Sequence, residues 1–165
     1  ALQIAKTGKK VGIISLEMSN NEIAARLAAV DANVNFDVLY RGMYDDENQR
    51  KRVYDRLSNH TSTLPIYVSD KTNVNINDIR AKVVKLMNKV RKEGKNSLRD
   101  GEKGIEDDGL AVIMIDYLQL VESDDNKSNR EQQVAKVSRG AKIMAKELGI
   151  PVVLLCQLKS GPQRL

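Results

Sequence analysis

Val112-Ile113-Met114-Ile115-Asp116 and Ile13-Ile14-Ser15-Leu16-Glu17 decide how this chain folds. Each is an apolar, largely β-branched run that is too short for a helix and closes on a carboxylate. Runs of this kind are expected to be strands buried on both faces, as in a parallel sheet covered by helices. The full strands read as residues 11–16 (VGIISL) and 111–116 (AVIMID), and residues 65–69 (PIYVS) and 151–156 (PVVLLC) add two more.

Helical stretches lie between these runs. Ser19-Asn20-Asn21-Glu22 and Ser128-Asn129-Arg130-Glu131 both fit a capping box, so helices should begin near residues 20 and 129. Val134, Val137, Ala141, Met144 and Leu148 recur at spacings of three and four, and Gly149-Ile150-Pro151 stops that helix before the last strand. Ile76, Ile79, Val83, Met87 and Val90 mark another helix, opened by Asn75 and ending near Lys92. Residues 46–57 read as a surface helix anchored by Val53 and Leu57, and the glycine- and charge-rich residues 93–109 read as an exposed connection. Strands alternating with helices predict an α/β fold, a mostly parallel sheet flanked by helices on both faces.

With 165 residues the chain is the size of one domain. No apolar run approaches the roughly 20 residues of a membrane span, and the first ten residues lack the order of a secretory signal. One cysteine, Cys156, excludes an internal disulfide framework and points to the cytosol. With no histidine partner in sequence reach, it reads as a small buried hydrophobe. His60 is the sole histidine, so no zinc site of His and Cys ligands can form. The net charge of +5 suits a polyanionic partner, but the basic residues are scattered among acids, which equally describes a solvated surface.

Ligands of open α/β sheets bind beyond the carboxyl ends of the strands, so polar residues that end strands are the candidates for chemistry. Asp116 has the Walker B arrangement, in which an aspartate holds the magnesium of a nucleoside triphosphate, and it reads equally as a turn or cap carboxylate. Glu17 could polarise an attacking water beside that site, or interact with the dipole of the helix after Ser19. Gln157 follows the fourth strand, where an amide could donate to a phosphate oxygen.

These segments together resemble the DnaB-family replicative helicases, whose motor domain is RecA-like. Ser15-Leu16-Glu17-Met18-Ser19 is similar to that family's SLEM signature, Met114-Ile115-Asp116-Tyr117-Leu118-Gln119-Leu120 to its MIDYLQL segment, and Gln157-Leu158 to its QL. Arg41-Gly42, Asn129-Arg130, Ser138-Arg139 and Ala145-Lys146-Glu147-Leu148 match in family order over nearly the whole chain. The resemblance implies a motor that couples ATP hydrolysis to movement along single-stranded DNA and to duplex unwinding. It makes Glu17 the general base, Asp116 the Mg²⁺ and ATP aspartate, and Gln157 a γ-phosphate sensor. It sets Lys127 and Arg130 near single-stranded DNA, although Asp124 and Asp125 dilute that charge. It also implies a ring, hexameric in the family, together with primase and a helicase loader as partners.

The departures from the family pattern set further expectations. No G-x-x-x-x-G-K-[ST] phosphate loop is present, and Ala1-Leu2-Gln3-Ile4-Ala5 resembles the helix that follows it. Residues 163–165 fall short of the strand that carries the family's arginine finger. Residues 1–165 are therefore expected to be a partial RecA-like helicase ATPase domain, inactive alone, and residues 93–109 look longer than the family's connection. A RecA-like recombination or regulatory ATPase remains an alternative, as does a degenerate, non-enzymatic module.

Overall fold

The computed structural model of the chain describes residues 1–70, 75–96, 109–116 and 130–156. In chain order these form α1 (Leu2–Lys6), β1 (Lys10–Ser15), α2 (Asn20–Ala32), α3 (Phe36–Arg41), α4 (Glu47–Asn59), a 3₁₀ turn (Thr61–Thr63), β2 (Ile66–Ser69), α5 (Ile76–Asn96), β3 (Leu110–Asp116), α6 (Arg130–Leu148) and β4 (Val152–Leu154). The four strands lie in the order β2-β1-β3-β4, and every pairing is parallel.

Side chains alternate across the two faces of the sheet with the strand period of two. Ile14 of β1 with Ile113 and Ile115 of β3 meets Ile79, Val83, Met87 and Val90 of α5 and Val137 and Met144 of α6. Val11, Ile13 and Val112 turn to the opposite face, against Ala5 of α1 and Ile23 of α2. Helices therefore cover both faces, as the sequence predicts. Gly12 leaves room where β1 meets β3: a Cβ there would lie 2.4 Å from Ile113 Cδ1 and 3.2 Å from Leu86 Cδ2, so those side chains would have to shift.

The helix starts follow from their capping residues. Asn75 Oδ1 accepts the N–H groups of Asn77 and Asp78, both at 2.9 Å, and Asp78 returns a carboxylate to the Asn75 N–H at 3.1 Å. Ser19 Oγ accepts the Glu22 N–H at 3.3 Å. The reciprocal half of that expected box gives way to an ion pair, Glu22 with Arg26 at 2.9 Å one helical turn on. Asp46 caps α4 by accepting the Gln49 N–H, so the helix itself starts one residue later than expected. At the end of α6, Gly149 takes a φ of +68°, the left-handed conformation that lets the chain leave the helix. Ser128 lies outside the described residues.

Several expectations are corrected. Burial on both faces holds for β1 and β3, but β2 and β4 are only half-buried because they flank the described sheet. β4 pairs with β3 over three residues, so it is shorter than the apolar run, and Val153 and Leu155 are exposed. Cys156, two residues beyond that pairing, is exposed rather than buried. α5 continues to Asn96, four residues into the stretch expected to be a loop. The short α3 and the 3₁₀ turn have no counterpart in the sequence reading. Among the described residues, no helix is long and apolar enough to cross a membrane.

Candidate active site

The parallel topology brings the carboxyl ends of β2, β1 and β3 together along one edge, and each of the three ends in or beside a carboxylate. Asp116 is the last residue of β3 and pairs in register with Ser15, the last residue of β1. The alternation that turns Val112 toward α1 and α2 also directs Asp116 to that face, and Asp116 is half-buried. Just past the strand, the Leu16 N–H donates to the Asp116 carbonyl at 2.7 Å, which extends the ladder by one bond. Glu17 is the next residue and is exposed. The two predicted carboxylates therefore lie at the same edge of the sheet, Asp116 at the end of β3 and Glu17 in the turn two residues beyond its register partner Ser15.

The turn that carries Glu17 is held from within and from both sides. The fully buried Ser15 accepts the Met18 N–H on its hydroxyl at 3.0 Å, folding residues 15–18 back on themselves. Ser19 then caps α2. From the β2 side, Asp70 Oδ2 accepts the N–H of Asn20, the first residue of α2, at 2.9 Å. Asp70 is absent from the candidates that the sequence offers, although it also follows a strand directly and so meets the criterion that selects Asp116 and Glu17.

Magnesium takes oxygen ligands and keeps several waters, using one or two carboxylates together with substrate phosphates. A half-exposed aspartate at an open strand end, with a second carboxylate in the turn after the neighbouring strand, suits that donor chemistry. Among the described residues, no group of three or more His, Cys, Asp or Glu side chains is placed to hold a metal. Gln157 and Lys127 lie outside the described residues. Arg130 opens α6, with its side chain also outside them.

A second polar cluster has no counterpart in the sequence reading. Asp31, near the end of α2, has a fully buried side chain. Lys6 Nζ of α1 pairs with its Oδ1 at 2.7 Å, while Oδ2 accepts from His60 Nδ1 at 2.6 Å and from Thr61 Oγ1 at 2.8 Å. Arg56 Nε of α4 stands 3.7 Å away. Burial pushes the Asp31 carboxyl up, but the bonds from Lys6, His60 and Thr61 outweigh it and hold the group well below the usual carboxylate range. The available signal is spacing: Ile23, Leu27 and Asp31 follow one another at intervals of four, which places an acid on the buried stripe of α2.

An all-parallel sheet with helices on both faces and acidic strand ends along its carboxyl edge is an open α/β fold, the class that includes the RecA-like ATPases. Within it, residues 1–164 match the DnaB-like helicase C terminal domain, and the chain belongs to that family. It is 34% identical over 160 residues to the replicative DNA helicase DnaB of Geobacillus stearothermophilus, covering 96% of this chain and 31% of that protein. It is 32% identical over 160 residues to the replicative DNA helicase DnaC of Bacillus subtilis, with the same coverage of both chains. Among solved structures, one described as an ATPase domain superposes with a TM-score of 0.75 at 26% identity, over 97% of this chain and 51% of that one. A DnaB-like replicative helicase described with its interactions with primase gives a TM-score of 0.78 at 25% identity, over 100% of this chain and 36% of that one. The chain thus spans about a third of the length of the curated relatives it matches.

Proposed function

We propose that this chain is part of the motor of a replicative DNA helicase that hydrolyses ATP to move along single-stranded DNA and unwind duplex. The observation that carries the reading is that Asp116 ends β3 while Glu17 lies in the turn just beyond the neighbouring parallel strand, next to the residue that the Leu16–Asp116 hydrogen bond ties to it. Membership of the helicase family supports it.

The chemistry is phosphoryl transfer from ATP to water, in which the protein mainly positions groups and stabilises charge. Asp116 would hold Mg²⁺, which when bound neutralises charge on the triphosphate oxygens. Glu17 accepts a proton from the water attacking the γ-phosphorus, and its exposure at the sheet edge leaves it open to that water. Gln157 senses the γ-phosphate, and Lys127 and Arg130 contact single-stranded DNA. The parent protein works as a ring of six in the cytoplasm, with primase and a helicase loader as partners.

The test uses the full-length parent. Glu17→Gln should bind ATP with little change and slow DNA-stimulated hydrolysis by about 10²–10⁴-fold, the usual contribution of a general base. Turnover by that variant within a few-fold of the unmodified protein removes Glu17 from the base role. Hydrolysis without strand separation by the unmodified protein would overturn the helicase reading itself.

A further inference from the structure

We propose that Asp70 is a positioning residue for Glu17, setting the general base against the magnesium aspartate from the far side of the turn; this rests on the roles given above to Glu17 and Asp116. Glu17 lies between two anchors separated by four positions in the chain. On one side the Leu16 N–H is bound to the Asp116 carbonyl of β3 at 2.7 Å. On the other the Asn20 N–H is bound to Asp70 Oδ2, immediately after β2, at 2.9 Å across a sequence separation of 50 residues. Between them, the Ser15 hydroxyl takes the Met18 N–H. The Asp70 bond ties this turn to the end of β2, whereas the other two hold it from β3 and from β1.

The geometry of the bond supports this over a simple helix cap. Ser19 already caps α2 through its own side chain. Asp70 instead binds the N–H of Asn20, one of the backbone donors that the first turn of a helix leaves without an intrahelical partner. A carboxylate there is also favoured by the helix dipole. Removing it therefore loosens the Glu17 turn while leaving the helix capped, and a shift of about 1 Å in a reacting group can cost about 10²-fold in rate.

The substitution Asn20→Pro separates positioning from folding. Asn20 is the first residue of α2, where proline is well tolerated because its fixed φ suits the helix and the missing N–H has no intrahelical role. The preceding Ser19 has φ −69° and ψ 158°, a conformation proline accepts before it. The change deletes the donor that Asp70 binds and leaves the Ser19 cap in place.

In the full-length parent, Asp70→Ala and Asn20→Pro should each lower kcat for ATP hydrolysis by about ten- to a hundredfold. Affinity for a fluorescent ATP analogue should stay within about twofold. Asp70→Asn retains an acceptor oxygen and should recover kcat to within about threefold of the unmodified protein. Added to Glu17→Gln, Asn20→Pro should cause little further loss, because residues acting as a unit are not additive. Full kcat in Asn20→Pro while Glu17→Gln is slow would overturn the inference and leave Asp70 a structural contact. Full kcat in Glu17→Gln would instead sink the underlying assignment, so the two failures are told apart by one series.

Discussion

Replacing Asp31 with alanine tests the account of the second cluster most directly. The carboxylate has a side chain 0% exposed, with Lys6 at 2.7 Å, His60 at 2.6 Å and Arg56 at 3.7 Å. Removing one partner of a fully buried ion pair typically costs about 3–5 kcal/mol, because the other charge is left without solvent. Here the partners have somewhere to go: Lys6 is 31% exposed, His60 35% and Arg56 49%. That access reduces the expected loss to about 2–3 kcal/mol, mainly from the forfeited bonds and the space left at Asp31. With a urea slope of about 2 kcal/mol per M, the midpoint should fall by about 1–1.5 M. Equilibrium urea unfolding followed by far-ultraviolet circular dichroism reads this out. The pH dependence adds a second check. The folded pKa of Asp31 lies below its unfolded value of about 3.9, so the unfolded chain binds more protons between the two. This contribution is fully present above about pH 5 and disappears as pH falls through the acid range. Asp31→Asn, which keeps acceptor capacity without the charge, should flatten that acid limb. A midpoint shift under about 0.3 M for Asp31→Ala, with an unchanged acid limb in Asp31→Asn, would refute the view that this carboxylate holds α1, α2 and α4 together.

The remaining predictions concern the sheet and its edge. Gly12→Ala should destabilise the chain by about 1–3 kcal/mol, measured by thermal or urea unfolding, since the new methyl must displace Ile113 and Leu86 side chains. Ser19→Ala should cost about 1 kcal/mol by removing the acceptor of the Glu22 N–H, a loss seen as a lower urea midpoint with an unchanged slope. In the full-length parent, Asp116→Ala should abolish ATP hydrolysis that responds to added Mg²⁺, and a normal Mg²⁺ titration would move the metal away from this strand end.

The sheet is legible in the sequence because its information is local. Val11, Ile13 and Ile14, and Val112, Ile113 and Ile115, are buried together in the two middle strands, so nearly every position is apolar and a strand is the only element that fits such short runs. The stripes of α5 and α6 are clear for the same reason: one partner, the sheet, selects one face of each helix. α3 escapes the pattern because Phe36, Val38, Leu39 and Tyr40 lie in a brief helix with no buried residue, too short for a period to appear. The end of α5 escapes it because a lysine- and glycine-containing stretch gives no local reason to continue a helix, and the segment extends it to Asn96 regardless.

The site divides along the same line. Glu17 and Asp116 stand out because each ends an apolar run, and the parallel register then brings both runs to one sheet edge without further information: pairing Val11 with Val112 fixes Ser15 against Asp116, with Glu17 two residues further on. What local reading does not supply is which polar groups reach across elements. Asp70 closes its bond over 50 residues, and Asp31 meets His60 over 29 and Thr61 over 30. Nothing at positions 60 or 61 marks them as partners of an acid in α2. The charge itself is the clue, since a carboxylate on a buried helical stripe, close to the helix end that the dipole makes unfavourable for it, persists only where cations or donors from elsewhere surround it. An acid that breaks an apolar pattern therefore signals a tertiary bond whose other end the sequence does not name. The same argument makes Asp70 more than a strand-end turn: its carboxylate joins β2 to the first residue of α2, and so connects the edge of the sheet to the turn on which the candidate base is carried.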